Sequence, residues 1–280
     1  MMLGLLGAAS LACVRRADVG GSDTRILSLG GPLTELLFAL GVGDRLVGAD
    51  TSSYYPSEAE ALPKVGYQRQ ISVEGVLALA PTLVVHSDQA GPKPALEQIA
   101  AAGIELVEFA DPWELDAARR RIRDVAALVG RVDAGAELIA ALDKEIAELE
   151  RLRAACTSTP TVLFVYARGA DHLLVAGRHT APATMVELAG GRLALQHEGF
   201  VPISAEAVIA GAPEVILVTS RGLGSVGGQL GMLDQPGLAE TPAGRARRVI
   251  ALDDLALLGF GPRTGATLIE LTRALHPELS

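Results

Sequence analysis

The chain has 280 residues, 49% of them apolar and 20% charged, with a formal net charge of -9. That composition excludes a disordered chain, a collagen-like repeat and a disulfide framework, and its acidic balance argues against nucleic acid as the main partner. The length suits two cores better than one, and no run reaches the roughly 18 apolar residues that a membrane-spanning helix needs.

Residues 1–12 are apolar but too short to span a bilayer. They lead into Ser10-Leu-Ala-Cys13, an imperfect lipobox. Residues 1–23 are therefore expected to be an export leader and linker, with Cys13 as the acylated residue; an arbitrary leader from a misassigned start is the alternative. Cys156 is then the only other thiol, which gives no metal-site spacing.

Beyond the leader, short apolar runs alternate with helical periodicity. Strands are expected at 25–29, 46–49, 82–86 and 104–109, and a helix at 33–40 after Gly30-Gly31-Pro32. Two proline-free amphipathic stretches follow, 114–129 and 133–155, broken at Gly130. The second is expected to form a rod of about 35 Å. Pro160 ends it, and alternation resumes at 161–166. Such alternation is the signature of an α/β fold with largely parallel sheets.

The second half repeats the first. Ile71-Ser-Val-Glu-Gly-Val-Leu-Ala-Leu-Ala-Pro-Thr-Leu-Val-Val85 aligns with Ile203-Ser-Ala-Glu-Ala-Val-Ile-Ala-Gly-Ala-Pro-Glu-Val-Ile-Leu217, matching Ser72 with Ser204, Glu74 with Glu206 and Pro81 with Pro213. A weaker echo pairs 35–47 with 187–195. The expected architecture is two α/β lobes of similar plan (24–130 and 157–280) joined by one long helix (131–156), with a ligand cleft between them at the carboxyl ends of the strands.

Enzymatic signatures do not appear: there is no G-x-S-x-G, H-E-x-x-H or Walker lysine motif. Gly222-Leu-Gly-Ser-Val-Gly227 matches G-x-G-x-x-G after a strand expected at 215–219, but the glycines and Pro236 that follow favour a flexible loop on the cleft rim over a dinucleotide site. The five histidines are not spaced as a zinc cluster, and His276 is expected at the surface. The segment 50–69 concentrates Tyr54, Tyr55 and Tyr67 among turn formers. If 67–69 is extended, Tyr67 and Arg69 share a face, and the guanidinium can stabilise a phenolate. Such a phenolate is an axial haem ligand elsewhere. From the residues alone, a packing tyrosine with a polar tip remains the plainer reading.

Leu40-Gly-Val-Gly-Asp-Arg-Leu-Val-Gly48, Asp50-Thr-Ser-Ser-Tyr-Tyr-Pro56, Leu62-Pro-Lys-Val-Gly-Tyr-Gln-Arg69, Val175-Ala-Gly-Arg-His-Thr180, Leu238-Ala-Glu-Thr-Pro-Ala-Gly-Arg245 and Leu258-Gly-Phe-Gly-Pro-Arg-Thr264 together carry a family likeness. The chain resembles the periplasmic haem-binding proteins of bacterial haem ABC importers, relatives of cobalamin and siderophore binders. The resemblance implies a non-enzymatic carrier, periplasmic or held to the membrane through Cys13, that delivers haem to a permease dimer. It makes Tyr67 the iron ligand and Arg69 its hydrogen-bond partner. His179 is the implied second ligand, with Tyr54 as a haem contact and Arg178 and Arg263 meeting the propionates. Glu74 and Glu206, each after a capping serine, are implied to dock on permease arginines. A cobalamin or ferric-siderophore binder is the alternative, and the Tyr54-Tyr55-Pro56 loop would suit a corrin.

Overall fold

The computed structural model describes residue 21 and residues 23–279, so the expected leader and Cys13 lie outside the described residues. The first half contains strands β1 (Ile26–Leu29), β2 (Leu46–Ala49), β3 (Gly66–Tyr67), β4 (Gln70–Ile71), β5 (Leu83–Ser87) and β6 (Glu105–Phe109). Four of these form a parallel sheet in the order β2-β1-β5-β6, while β3 and β4 pair antiparallel as a separate hairpin. β1 and β5 are buried along their whole length. Helices on both faces of a parallel sheet require that, and it explains why these strands read as unbroken apolar runs.

The second half contains β7 (Thr161–Ala167), β8 (Leu173–Ala176), β9 (Arg192–Leu193), β10 (Phe200–Pro202), β11 (Val215–Thr219) and β12 (Val249–Leu252). Its parallel part runs β9-β7-β11-β12, the order of the first sheet, and β8 and β10 add an antiparallel flank. The internal repeat extends to backbone detail. Ser72 and Ser204 each accept the amide of the residue three positions on, capping the helices Val73–Ala78 and Ala205–Gly211. Ala80 and Ala212, at equivalent positions after them, both take left-handed φ, 43° and 42°. The two lobes are thus one plan used twice.

The helix Val132–Ala155 has 24 residues, about 36 Å at 1.5 Å each. It places Leu142 in the first lobe's core and Leu149 in the second's. The helix before it, Leu115–Leu128, bridges the lobes in the same way. Its Ala118 joins the second core, whereas Ile122, Val125 and Ala126 join the first. Gly130, at φ 71°, turns the chain between them. The helix Thr264–Leu275 lies so close to the long one that a Cβ on Gly265 would come 2.5 Å from that of Glu145. The lobes are therefore held by a packed helical block.

Two expectations are corrected. Gly222–Gly227 is not a flexible loop: Ser220–Ser225 is a short helix capped by Thr219, and Gly228–Leu233 another. The amide of Arg221, in its first turn, already donates to Asp254 Oδ2 at 3.1 Å, so a protein carboxylate occupies the place a phosphate would need. His276 is fully buried rather than at the surface, its Nδ1 3.3 Å from Glu278 and 3.5 Å from Ser158.

Gly31 opens the first helix, Gly31–Ala39, at the place where the lobes meet. A Cβ there would lie 2.6 Å from both the Ser52 carbonyl and Leu255 Cδ2 of the other lobe. Gly31→Ala is expected to destabilise the protein by about 1–3 kcal/mol through overpacking, measured by thermal melting.

Candidate functional site

The loops at the carboxyl ends of the two parallel sheets lie on the side where the lobes meet, and several of them make lobe-to-lobe contacts. From the first lobe come Gly30-Gly31 after β1, 50–55 after β2, 87–89 after β5 and 110–113 after β6. Arg168 follows β7, Arg221 lies just beyond β11, and Asp253 follows β12.

Asp50 organises the first wall. Its buried carboxylate accepts from Gly30 N at 2.9 Å, Ser53 Oγ at 2.8 Å and Ser52 N at 2.8 Å, tying the loop after β2 to the loop after β1. Lys64 Nζ donates to the carbonyls of Ser53 and Ala59 at 2.6 and 2.7 Å, closing the Tyr54–Tyr55 segment from below.

The β3–β4 hairpin roofs this wall. Thr51 N donates to Gly66 O, and Gly91 N to Gln68 O, at 2.9 and 2.8 Å. Gln68 Oε1 reaches Ser87 Oγ at 3.5 Å, directly over the ends of β1 and β5. Tyr67, on the same hairpin, is 42% exposed, and its hydroxyl has no hydrogen-bond partner among the described residues.

Arg69 does not sit as an extended strand would place it. Tyr67 pairs with Gln70, so Gln68 and Arg69 are the two central residues of a tight turn, and the i, i+2 argument does not apply. The Arg69 guanidinium instead donates to Gln89 Oε1 at 3.0 Å.

Tyr54 and Arg263 are committed across the interface. Tyr54 donates to Asp253 Oδ2 and accepts from Leu255 N, both at 3.1 Å, with the Arg221 guanidinium 3.5 Å over its ring. Burial, reinforced by Asp253, raises its pKa well above the ordinary phenol value, so it stays a neutral donor. Arg263 donates to both carboxylate oxygens of Glu35, at 2.9 and 2.8 Å, and to Asp253 Oδ1 at 3.0 Å. It also stacks 3.6 Å over Tyr55. Burial alone would lower its pKa, but Glu35 and Asp253 outweigh it and hold the guanidinium above its usual value. The bidentate fork that would suit a propionate is taken by Glu35. Leu258–Thr264 is thus an inter-lobe motif: Gly259 and Phe260 also offer their carbonyls to the buried Arg121, at 2.6 and 3.1 Å.

His179 is exposed on the second lobe, its ring 5.7 Å from Trp113 of the first and its Nδ1 3.8 Å from Glu198. Arg178, also exposed, lies 3.8 Å from the same carboxylate. Trp113 belongs to a shallow recess of about 350 Å³ that it shares with Asp111, Arg120 and Arg121. Glu74 and Glu206 are exposed in the first turns of their short helices, and no salt bridge joins either to a described residue.

One pair escaped the sequence reading. Tyr166 and Arg168, at the carboxyl end of β7, repeat the Tyr-x-Arg spacing of Tyr67 and Arg69 on the opposite lobe. Arg168 lies 4.4 Å over the Tyr166 ring and 3.4 Å from Asp254, while Phe200, 42% exposed, meets Tyr166 edge-on at 6.1 Å. The repeated triplet was the signal that could have found it. Chemically, the first lobe offers one open phenol, Tyr67, and the second a Tyr-x-Arg pair at the carboxyl end of β7, with exposed aromatic surface at Trp113 and Phe200. Among the described residues, no cluster of His, Cys, Asp or Glu could hold a bare metal ion.

The sequence profile described as periplasmic binding protein matches residues 26–256. Among solved structures, the chain is similar to the periplasmic heme-binding protein RhuT from Roseiflexus sp. RS-1, at 49% identity and a TM-score of 0.88, over 92% of this chain and 100% of that one. It is also similar to periplasmic heme-binding protein BhuT in complex with two hemes, at 42% identity and a TM-score of 0.85, over 91% and 99%. A curated vitamin B12-binding protein of Photorhabdus laumondii subsp. laumondii is 27% identical over 197 residues, 70% of each chain. With its two-lobed α/β architecture and a profile spanning both lobes, the chain belongs to the periplasmic binding protein family.

Proposed function

We propose that the protein binds haem in the cleft and delivers it to the permease of an ABC importer, with Tyr67 as the iron ligand. The observation that carries this reading is the open, unpartnered Tyr67 hydroxyl on the hairpin over the cleft. Free tyrosine has a pKa of about 10 and is a poor anion at neutral pH. Ferric iron lowers it, and tyrosinate is an established axial ligand type. Arg69, two residues on in the same hairpin turn, becomes its hydrogen-bond donor by exchanging its contact with Gln89. The porphyrin faces rest on aromatic and apolar surface, with Tyr166, Phe200 and Trp113 as candidates to supply it. The Tyr166–Arg168 pair supplies a second polar contact from the far wall, and Arg178 and His179 stand on the rim for propionates or a further ligand. Tyr54 and Arg263 serve the interface instead. No covalent chemistry on the cargo is involved. Cys13 anchors the mature chain to the membrane.

The second reading is cobalamin, favoured by the likeness to a vitamin B12-binding protein. The closer identity to heme-binding structures weighs against it. Titration of the purified protein with haemin is expected to give a shifted Soret band at micromolar concentration or below. Cyanocobalamin should leave its own spectrum and the protein's melting temperature unchanged. A melting shift with cobalamin and none with haemin would reverse the assignment.

A further inference from the structure

Large apolar side chains exposed singly on a protein surface need no explanation. Leu77 and Ile209 are different, because they are exposed at repeat-equivalent positions, 42% and 46%. Leu77 follows Glu74 by three residues in the helix Val73–Ala78, and Ile209 follows Glu206 by three in Ala205–Gly211. The next residues, Ala78 and Ala210, are exposed beside them. Spacing of i, i+3, i+4 puts all three on one helical face. Each lobe therefore shows the same three-residue patch: an unpaired carboxylate, a bulky aliphatic side chain and a small alanine beside it.

The coincidence extends to what is kept inside. Val76 and Val208 are buried in their lobes' cores from the opposite faces of the same helices. The pattern in each helix thus already satisfies the lobe, and the exposed leucine and isoleucine are surplus to it. A left-handed alanine ends both turns, so the two patches share one local geometry as well as one sequence pattern.

We infer that Leu77 and Ile209 are apolar anchors that seat the protein on a two-fold symmetric partner, one anchor per partner subunit, with Ala78 and Ala210 allowing close approach. The partner face is basic, to match Glu74 and Glu206, and carries an apolar socket beside each basic group. This rests on the proposed delivery of cargo to a permease dimer, and it adds an apolar contact beside each acidic one. Buried apolar anchors ringed by charges carry affinity, whereas rim charges set the approach rate and salt dependence.

The test uses the cognate importer, permease dimer with its ATPase subunits, in lipid nanodiscs. Its binding to wild type, L77S, I209S, L77S/I209S and E74A/E206A is followed across a range of salt. Each apolar single variant is expected to weaken binding about tenfold through faster dissociation, with the salt slope unchanged. The double variant should lose both increments. E74A/E206A should instead flatten the salt slope. Haemin affinity and melting temperature, measured on the same proteins, should match wild type because both side chains lie on the surface. Full binding by L77S/I209S with loss in E74A/E206A overturns the anchors and leaves the docking reading standing. No binding by wild type, or no effect of any variant, overturns both. Self-association of the wild type that L77S/I209S abolishes would assign the patches to a second copy and overturn the inference too.

Discussion

Tyr67→Ala is expected to abolish the ligand-to-metal charge-transfer absorption of the ferric haem complex and to weaken haemin binding by more than about a hundredfold, since losing even an outer-shell partner of a metal ligand costs about 10–100-fold. Tyr67→Phe isolates the oxygen. It keeps the ring, and with it whatever packing Tyr67 provides, so the two variants should lose the same spectral feature while Phe retains more of the apolar affinity. Arg69→Ala should fall between wild type and Tyr67→Ala. Its guanidinium now holds Gln89 at 3.0 Å, and only on binding would it turn to the phenolate. Tyr166→Phe tests the opposite wall: the Tyr67 charge-transfer feature should survive while affinity declines. Wild-type spectra from Tyr67→Phe, with loss in Tyr166→Phe instead, would move the ligand to the second lobe.

The fold was legible because its central strands are buried on both sides and its repeat is written in side chains that cap helices. Ser72 and Ser204 mark helix starts by chemistry, and the runs at β2 and β11 match their sequence-based bounds. Where local pattern failed, the cause was tertiary. Gln68-Arg69 forms a two-residue turn without the Gly or Asn that usually announces one, so the segment read as straight. Arg263 read as a ligand-facing arginine because its true partner, Glu35, lies 228 positions away. His276 is polar and four residues from the carboxyl end, which suggests exposure, yet its ring packs against Gly190 and closes the second core. Tyr166 was hidden inside a strand whose neighbours are all core residues. The proposed role of Tyr67 rests on the family likeness and not on its spacing to Arg69, which the turn at Gln68-Arg69 undoes.

Arg121→Ala should be the most destabilising single change in the interface. Arg121 is the one guanidinium carried by the helix Leu115–Leu128 into the contact between lobes, with its side chain 3% exposed. It donates to the carbonyls of Gly259 and Phe260 and lies 3.4 Å from Asp111. Burial brings its pKa down to about 10, against the opposing pull of Asp111, Glu35 and Asp88, so it remains a cation at neutral pH. Removing it strands two buried carbonyls and deprives Asp111 of its counter-charge while burial already raises that carboxyl's pKa. Leaving those two carbonyls unpaired costs about 1–3 kcal/mol each, which for a protein of this size lowers the melting temperature by about 10 °C. Arg121→Met keeps the aliphatic stem and should recover part of the loss. Arg119→Ala, which removes exposed pairs with Asp116 and Asp143 from the same helix, should cost no more than about 1 kcal/mol. The haemin dissociation rate separates stability from orientation. Arg121 fixes how the second lobe's loop 259–260 meets the first, and that in turn sets where Arg263 and Asp253 hold Tyr54 and Tyr55. Looser lobes should release haemin faster even at temperatures where the Ala variant is fully folded. Equal melting of the Arg119 and Arg121 variants, together with an unchanged haemin off-rate, would show that the helical block alone sets the lobe geometry.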